Sequence, residues 1–191
     1  TVQTAEKGLL WFKVKAKGSP GHGSLPNLAD NAILRMNKVI TKIENYRPQA
    51  LLTPTVRNFI AQMAQEDSTV QEPLQQLIAN PGLSDQILDE LSRITPYLAE
   101  EIRPRLKMTI TPTIIRGGVK ENVIPSECEA VFDCRILPEQ ETAKTMELIK
   151  ALLHDTAPEK LEFEVLQAQE PSESPTETPL YEVIDTVIRE F

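Results

Sequence analysis

Histidine and cysteine are nearly absent from this chain of 191 residues, which has two of each. A zinc site normally draws three or four ligands from His, Cys and carboxylates. His22 and His154 lie far apart and neither has a Cys or a second His nearby. A metal centre housed in this chain is therefore not expected. Aromatic residues are also few, with five Phe, three Tyr and one Trp, too few for a base-stacking platform. Positive charge is in deficit: 20 Lys+Arg stand against 28 Asp+Glu, a net charge of −8, which argues against nucleic acid as a partner. No apolar run approaches the ~20 residues of a membrane span. The N-terminal stretch has no apolar segment of the kind a secretory signal needs, so neither a span nor a signal peptide is expected. With 40% hydrophobic and 25% charged residues, the composition is that of a soluble globular protein.

The two cysteines, Cys128 and Cys134, fall six residues apart in one alternating segment. Extended chain separates their Cα atoms by roughly 20 Å, far beyond the ~7 Å limit of a disulfide. Free thiols of this kind suit a reducing compartment, and a cytoplasmic location is the expectation.

What the chain does contain is periodicity. Residues 8–17 (GLLWFKVKAK) put Leu10, Phe12, Val14 and Ala16 on one face and Trp11, Lys13, Lys15 and Lys17 on the other, a half-buried strand. A glycine-rich turn, Gly18 to Ser24, leads to a helix over 28–45 carrying Ala32, Ile33, Met36, Val39, Ile40 and Ile43 at helical spacing. Residues 106–116 alternate again, with Leu106, Met108, Ile110 and Ile114 together. Pro112 in that run has no N–H to give, which predicts an edge strand or a bulge. Residues 126–136 follow with Cys128, Ala130, Phe132, Cys134 and Ile136 on one side. A helix over about 139–154 is expected to bury Ala143, Met146, Ile149 and Leu153, and a strand over 160–167 to carry Leu161, Phe163 and Val165 inward.

The order is strand, helix, strand, strand, helix, strand, and every strand has one apolar face. Helices should then cover one side of the sheet only. The predicted fold is α+β: a ferredoxin-like βαββαβ two-layer sandwich, its four-stranded antiparallel sheet carrying helices on one face, plus a helical insertion. That insertion occupies about 47–105, where six prolines punctuate short helical stretches near 55–65, 71–79, 84–92 and 96–103. The expected organisation is a linker over 1–7, a domain over 8–168, a polar linker over 169–179 and a helix over 180–191. That last helix repeats Leu180, Val183, Ile184, Val187 and Ile188. A helix so short is marginal alone in water and should pack on a neighbouring domain, so the chain reads as part of a larger protein.

Three places could carry chemistry. Gly21-His22-Gly23-Ser24 sits between a strand and a helix, where glycines allow a tight turn and expose the imidazole; a plain connection with a solvated histidine is the alternative. Arg116 to Pro125 is too long for a two-residue hairpin, and Asn122 within it offers both a donor and an acceptor, or simply satisfies its own loop. Arg135, beside Asp133, can hold a carboxylate bidentately, or pair with a neighbouring acid as surface arginines commonly do. His154, near a helix end, has the place of a favourable C-terminal cation or of a plain surface residue, and no function is assigned to it.

Taken together, Gly21-His22-Gly23-Ser24-Leu25-Pro26 followed by Asn31-Ala32, the run Gly117-Gly118-Val119-Lys120-Glu121-Asn122-Val123-Ile124-Pro125, and Asp133-Cys134-Arg135 resemble the lid, or dimerisation, domain of a zinc-hydrolase family. That family includes aminoacylases, acetylornithine deacetylase, succinyl-diaminopimelate desuccinylase and carboxypeptidases. The segment 47–105 resembles the insertion of its carboxypeptidase S-like branch, whose members process N-acyl amino acids. The resemblance implies two zinc ions held by a catalytic domain outside this chain, a homodimer, and a small N-acyl amino acid or peptide substrate. His22 looks like the lid histidine that reaches, typically from the partner subunit, to stabilise the oxyanion as the amide is cleaved. Asn122 would bind substrate oxygen nearby, Gly117 and Gly118 would let the backbone approach substrate, and Arg135 would meet a substrate carboxylate. The excised domain is expected to be inactive. A stand-alone ferredoxin-like binding module for a small ligand or protein is the alternative; it accounts for the fold but not for the joint occurrence of the three motifs.

Overall fold

The computed structural model describes residues 2–190; Thr1 and Phe191, the outer ends of the first linker and the last helix, lie outside the described residues. The alternating segments become strands and the periodic ones helices. In chain order these are β1 (Ala5–Glu6), β2 (Gly8–Lys17), β3 (Gly21–His22) and α1 (Ala32–Asn45). The insertion contributes α2 (Pro54–Glu66), α3 (Gln71–Ala79), α4 (Ser84–Ile94) and α5 (Pro96–Leu106). Then come β4 (Thr109–Gly117), β5 (Val123–Ile124), β6 (Glu127–Ile136), α6 (Thr142–Leu152), β7 (Leu161–Gln169), β8 (Ser172–Glu173) and α7 (Pro179–Glu190).

The main sheet has the order β4-β6-β2-β7 with every pair antiparallel, which is the ferredoxin-like arrangement. Helix α1 packs on β2, β4 and β6, and α6 on β2. The buried layer beneath them holds Leu10, Phe12, Val14 and Ala16 from β2 and Cys128, Ala130, Phe132, Cys134 and Ile136 from β6. Phe12 and Phe132 stack with ring centroids 5.0 Å apart, a cross-strand pair of the kind that stabilises a sheet. The opposite face is laced with charge: Lys13 pairs with Glu164 at 2.6 Å, Lys15 with Glu127 at 2.9 Å, and Lys17 with Glu162.

Several sequence expectations are corrected in detail. Leu106 ends α5 rather than opening a strand, and β4 begins at Thr109. The pairing of β4 with β6 shifts between Pro112 and Ile114, where Ile110 stands opposite Cys134 but Ile115 opposite Ala130. One extra residue at a bulge inverts the alternation, so Ile115, not Ile114, shares the helix-side face with Ile110. Both remain exposed because β4 is an edge strand. Val165 on the other edge strand is likewise half exposed, and in α6 Thr145 is buried where Ala143 is exposed.

The insertion has a core of its own. Ile60, Leu74, Leu77, Leu88, Leu91, Ile102 and Leu106 are buried together, separate from the layer under the sheet. Its two ends meet where Leu51 N donates to Leu106 O at 2.8 Å, and Thr55 of α2 bonds Glu173 of β8. Lys7 Nζ, between β1 and β2, donates to Pro104 O and Lys107 O, each at 2.8 Å. These carbonyls lie at the C-terminal end of α5, where a lysine satisfies groups left without intrahelical partners. β1 pairs with β8, Ala5 opposite Glu173. Helix α7 leaves Leu180, Val183, Val187 and Ile188 exposed.

Candidate functional site

His22 and Asn122 come from segments a hundred residues apart, and the fold places them at one tip. The two-residue strands β3 and β5 pair with Gly21 opposite Ile124 and His22 opposite Val123. Gly23 N then donates to Asn122 O at 2.8 Å. The bases of both loops are tied as well: Gly18 N donates to Ser126 O at 2.8 Å and Ala32 N to Pro125 O at 3.1 Å. Both His22 and Asn122 are exposed.

The imidazole is held by its own loop. Nδ1 of His22 lies 2.8 Å from Ser24 Oγ, and Ser24 N donates to it at 3.2 Å. Nε2 has no hydrogen-bond partner among the described residues. The side-chain amide of Asn122 is equally without a partner there. Two unspent polar groups at one exposed tip can bind the oxygen of a small molecule.

Behind the tip stands an ion cluster that sequence patterning did not single out. Ser19 N donates to Asp30 O at 2.9 Å and Asp30 N to Ser19 O at 3.2 Å, closing the loop at its base. The Asp30 carboxylate accepts from Arg35 Nη2 at 2.6 and 2.8 Å and from Lys160 Nζ at 2.7 Å. Arg35 Nε also donates to Lys17 O at 3.0 Å. Loop, helix α1 and the ends of β2 and β7 meet there. The hydrogen bond from Lys160, then those from Arg35, hold the Asp30 carboxyl below its ordinary range. The one local signal was an acid just before the helix cap with a base one turn into the helix. Asn31 is that cap: its Oδ1 accepts from Ile33 N at 2.9 Å and Leu34 N at 3.4 Å.

Gly117 and Gly118 have conformational reasons to be glycine. A Cβ on Gly117 would stand 2.9 Å from Cys128 Sγ and 3.2 Å from Ile33 Cγ1, and Gly118 has φ +78°. The first lets β4 close onto β6 and α1; the second turns the chain toward Asn122.

Arg135 is not brought to this tip. It lies eight residues along β6 from Glu127, roughly 27 Å at the rise of a strand. Its Nε and Nη2 donate to the two oxygens of Asp133 at 2.8 and 3.2 Å. That bond holds the Asp133 carboxyl below its ordinary range, aided by the indole of Trp11. Nη1 of Arg135 has no partner among the described residues.

Cys128 and Cys134 are free and buried. Burial pushes the Cys134 thiol up to about 12 and raises Cys128 as well, so neither is a nucleophile. Among the described residues, no group of three or more His, Cys, Asp or Glu could hold a metal ion. The pair of zinc ions implied by the resemblance therefore does not fit on the described residues of this chain. None of the helices described is long and apolar enough to cross a membrane.

The family model of the peptidase dimerisation domain matches residues 4–161. Over 172 residues the chain is 27% identical to the N-fatty-acyl-amino acid synthase/hydrolase PM20D1 of Homo sapiens, covering 89% of this chain and 32% of that protein. It is 26% identical to the probable carboxypeptidase S-like 2 of Dictyostelium discoideum, covering 100% of this chain and 35% of that one. The chain thus spans about a third of the length of the curated relatives it matches. Two solved structures share the fold. The M20 family metallo-carboxypeptidase Sso-CP2 of Sulfolobus solfataricus has a TM-score of 0.66 at 16% identity, over 98% of this chain and 43% of that one. Human carnosine dipeptidase 1 has a TM-score of 0.62 at 14% identity, over 100% of this chain and 43% of that one. With its sheet, its paired loops and a family match over most of its length, the chain belongs to the peptidase dimerisation domains of the M20 metallopeptidases.

Proposed function

We propose that this chain is the lid and dimerisation domain of a hydrolase that cleaves the amide bond of N-acyl amino acids or short peptides, and that it lends His22 and Asn122 to the active site of a partner subunit. The observation that carries this reading is the hydrogen bond from Gly23 to Asn122 at 2.8 Å, which presents the two side chains at one exposed tip. The imidazole there donates to the oxyanion formed as the amide carbonyl is attacked, a group best served by donors held in place beforehand. Asn122 binds a substrate oxygen beside it, and Gly117 and Gly118 shape the loop that approaches substrate; Arg135, remote from that tip, would offer its free Nη1 to the carboxylate of a substrate in the other active site of the dimer. N-acyl amino acids are supported by the human relative, named as an N-fatty-acyl-amino acid synthase/hydrolase.

The proposed domain division is a linker over 1–7, the lid over 8–168, a linker over 169–179 and a last segment, containing α7, that returns to a catalytic domain. Zinc, two ions by family resemblance, belongs to that domain, and this chain alone is inactive. The exposed apolar stripe of α7 supports such a neighbour. The free, buried thiols support a cytoplasmic setting.

Dimerisation falls to the β4 edge and α1. Ile114 and Ile115 on β4 and Ile33 and Leu34 on α1 are exposed, and a groove of about 510 Å³ runs between the two elements beside Ile40, Ile43 and Ile110. On the other edge strand, β7, Glu162 and Glu164 are already paired with Lys17 and Lys13 of β2. His22→Ala in the full-length protein tests the active-site role. A loss of kcat of about a hundredfold or more, with KM little changed, is expected. Unchanged activity at equal metal content would leave only a structural lid.

A further inference from the structure

Resting on that reading of His22, we infer that Ser24 is a positioning residue that sets the tautomer of the His22 ring. The backbone N–H of Ser24 can only donate, and it points at Nδ1 from 3.2 Å. Nδ1 must then present its lone pair, and the neutral ring carries its proton on Nε2. The Ser24 hydroxyl, 2.8 Å from the same nitrogen, rotates to donate as well and closes Nδ1 to any other use. The proton is thereby kept on the one ring nitrogen that has no partner among the described residues. That is the nitrogen available to a substrate oxygen.

His154 shows the opposite assignment in the same chain. Its Nδ1 lies 2.9 Å from Ala151 O, a carbonyl that can only accept, so His154 carries its proton on Nδ1. The two histidines of the sequence thus hold opposite tautomers, each set by the group facing Nδ1. His22 gains an outward donor from this and His154 does not.

The fixed tautomer matters because an oxyanion needs an N–H, not a lone pair. A ring with its proton on Nδ1 would turn a lone pair toward the developing negative charge. Removing the Ser24 hydroxyl leaves only the longer bond from the backbone, and the share of the ring in the wrong tautomer rises. The substrate can still bind, so the loss falls on kcat rather than KM.

The test has two arms. Nitrogen-15 correlation spectra of the imidazoles are recorded on the 191-residue chain, wild type and Ser24→Ala, at a pH where the rings are neutral. Wild-type His22 is expected as the Nε2–H tautomer, and Ser24→Ala is expected to raise its Nδ1–H share while His154 stays unchanged. Kinetics are measured on the full-length protein with Ser24→Ala and Ser24→Thr. A fall in kcat of about tenfold with KM unchanged is expected for alanine, with recovery to within about twofold for threonine. An Nδ1–H tautomer at His22, or a tautomer insensitive to Ser24→Ala, overturns the inference. A shifted tautomer with unchanged kcat supports the hold of Ser24 on the ring and instead overturns the oxyanion role of His22.

Discussion

Gly23 gives its amide hydrogen to the carbonyl of Asn122 at 2.8 Å, and this bond joins two loops that are remote in sequence into one presenting surface. Neither loop is placed by its own residues alone. The loop carrying His22 leaves β2 and returns to α1, while that carrying Asn122 leaves β4 and returns to β6. Their pairing makes the two side chains neighbours by backbone geometry.

That neighbourhood predicts coupling. Asn122→Ala in the full-length protein should lower kcat/KM by about tenfold, the scale of one neutral hydrogen bond. The His22→Ala, Asn122→Ala double variant should lose less than the product of the two single losses, because both act on one substrate group. Steady-state kinetics of the four proteins checks this; strictly multiplicative losses would place the two side chains at independent sites.

Acid should loosen the loop through Asp30. Its carboxyl is held below the ordinary range by Lys160 and Arg35. The stability it contributes is therefore complete above the ordinary value of 3.8 and is lost as pH falls through the lower folded value. Urea midpoints of wild type and Asp30→Asn should differ at neutral pH and converge in strong acid.

Lys7 acts at the other end of the pH scale. Burial lowers its ammonium to about 8 from 10.5, so between those values the unfolded chain binds more protons than the folded one. Stability from this residue then rises with pH across that window. Lys7→Met should abolish that increment. It also removes the donor to the carbonyls of Pro104 and Lys107, so its deficit against wild type should be smallest at neutral pH and widen as pH rises through the window. The difference between the two proteins' stability curves isolates the effect from other lysines and tyrosines.

At the proposed interface, Ile115→Lys should convert the dimer to monomer while the circular dichroism spectrum stays unchanged. Ile115 is 57% exposed, so the charge is solvated in the monomer and buried without a partner only in the dimer. Sedimentation velocity reads the result, and a variant that remains dimeric would move the interface away from β4.

Separate cores predict separate responses. Phe132→Ala breaks the stack with Phe12 and should destabilise the sheet domain by about 3–5 kcal/mol. Leu91→Ala, in the insertion core, should destabilise by about 2–5 kcal/mol and expose amides of α2 to α5 before those of β2 and β6. Hydrogen exchange distinguishes the two; identical patterns would show one cooperative unit instead.

Much of this was legible in the chain itself. Period-two alternation over 8–17 and 126–136 and helical spacing in α1 define the sheet's buried face, because side-chain direction follows from backbone geometry alone. Pro112 announced an edge or a bulge from its missing N–H, and β4 has both. The direction of the face after that bulge was not legible, since one unpaired residue inverts the alternation and nothing local marks where it sits. Ile114 and Ile115 exchanged faces for that reason.

The sequence by itself determined which residues alternate, which repeat at helical spacing, and which motifs, His22, Asn122 and Arg135 among them, were worth placing. Local patterns settle these because they depend on bonded neighbours and on the period of each element. Only the tertiary structure decided that His22 and Asn122 share one tip and that Asp30 binds Lys160. Those are contacts between segments distant in the chain, and they exist only once the sheet order β4-β6-β2-β7 has brought its loops together.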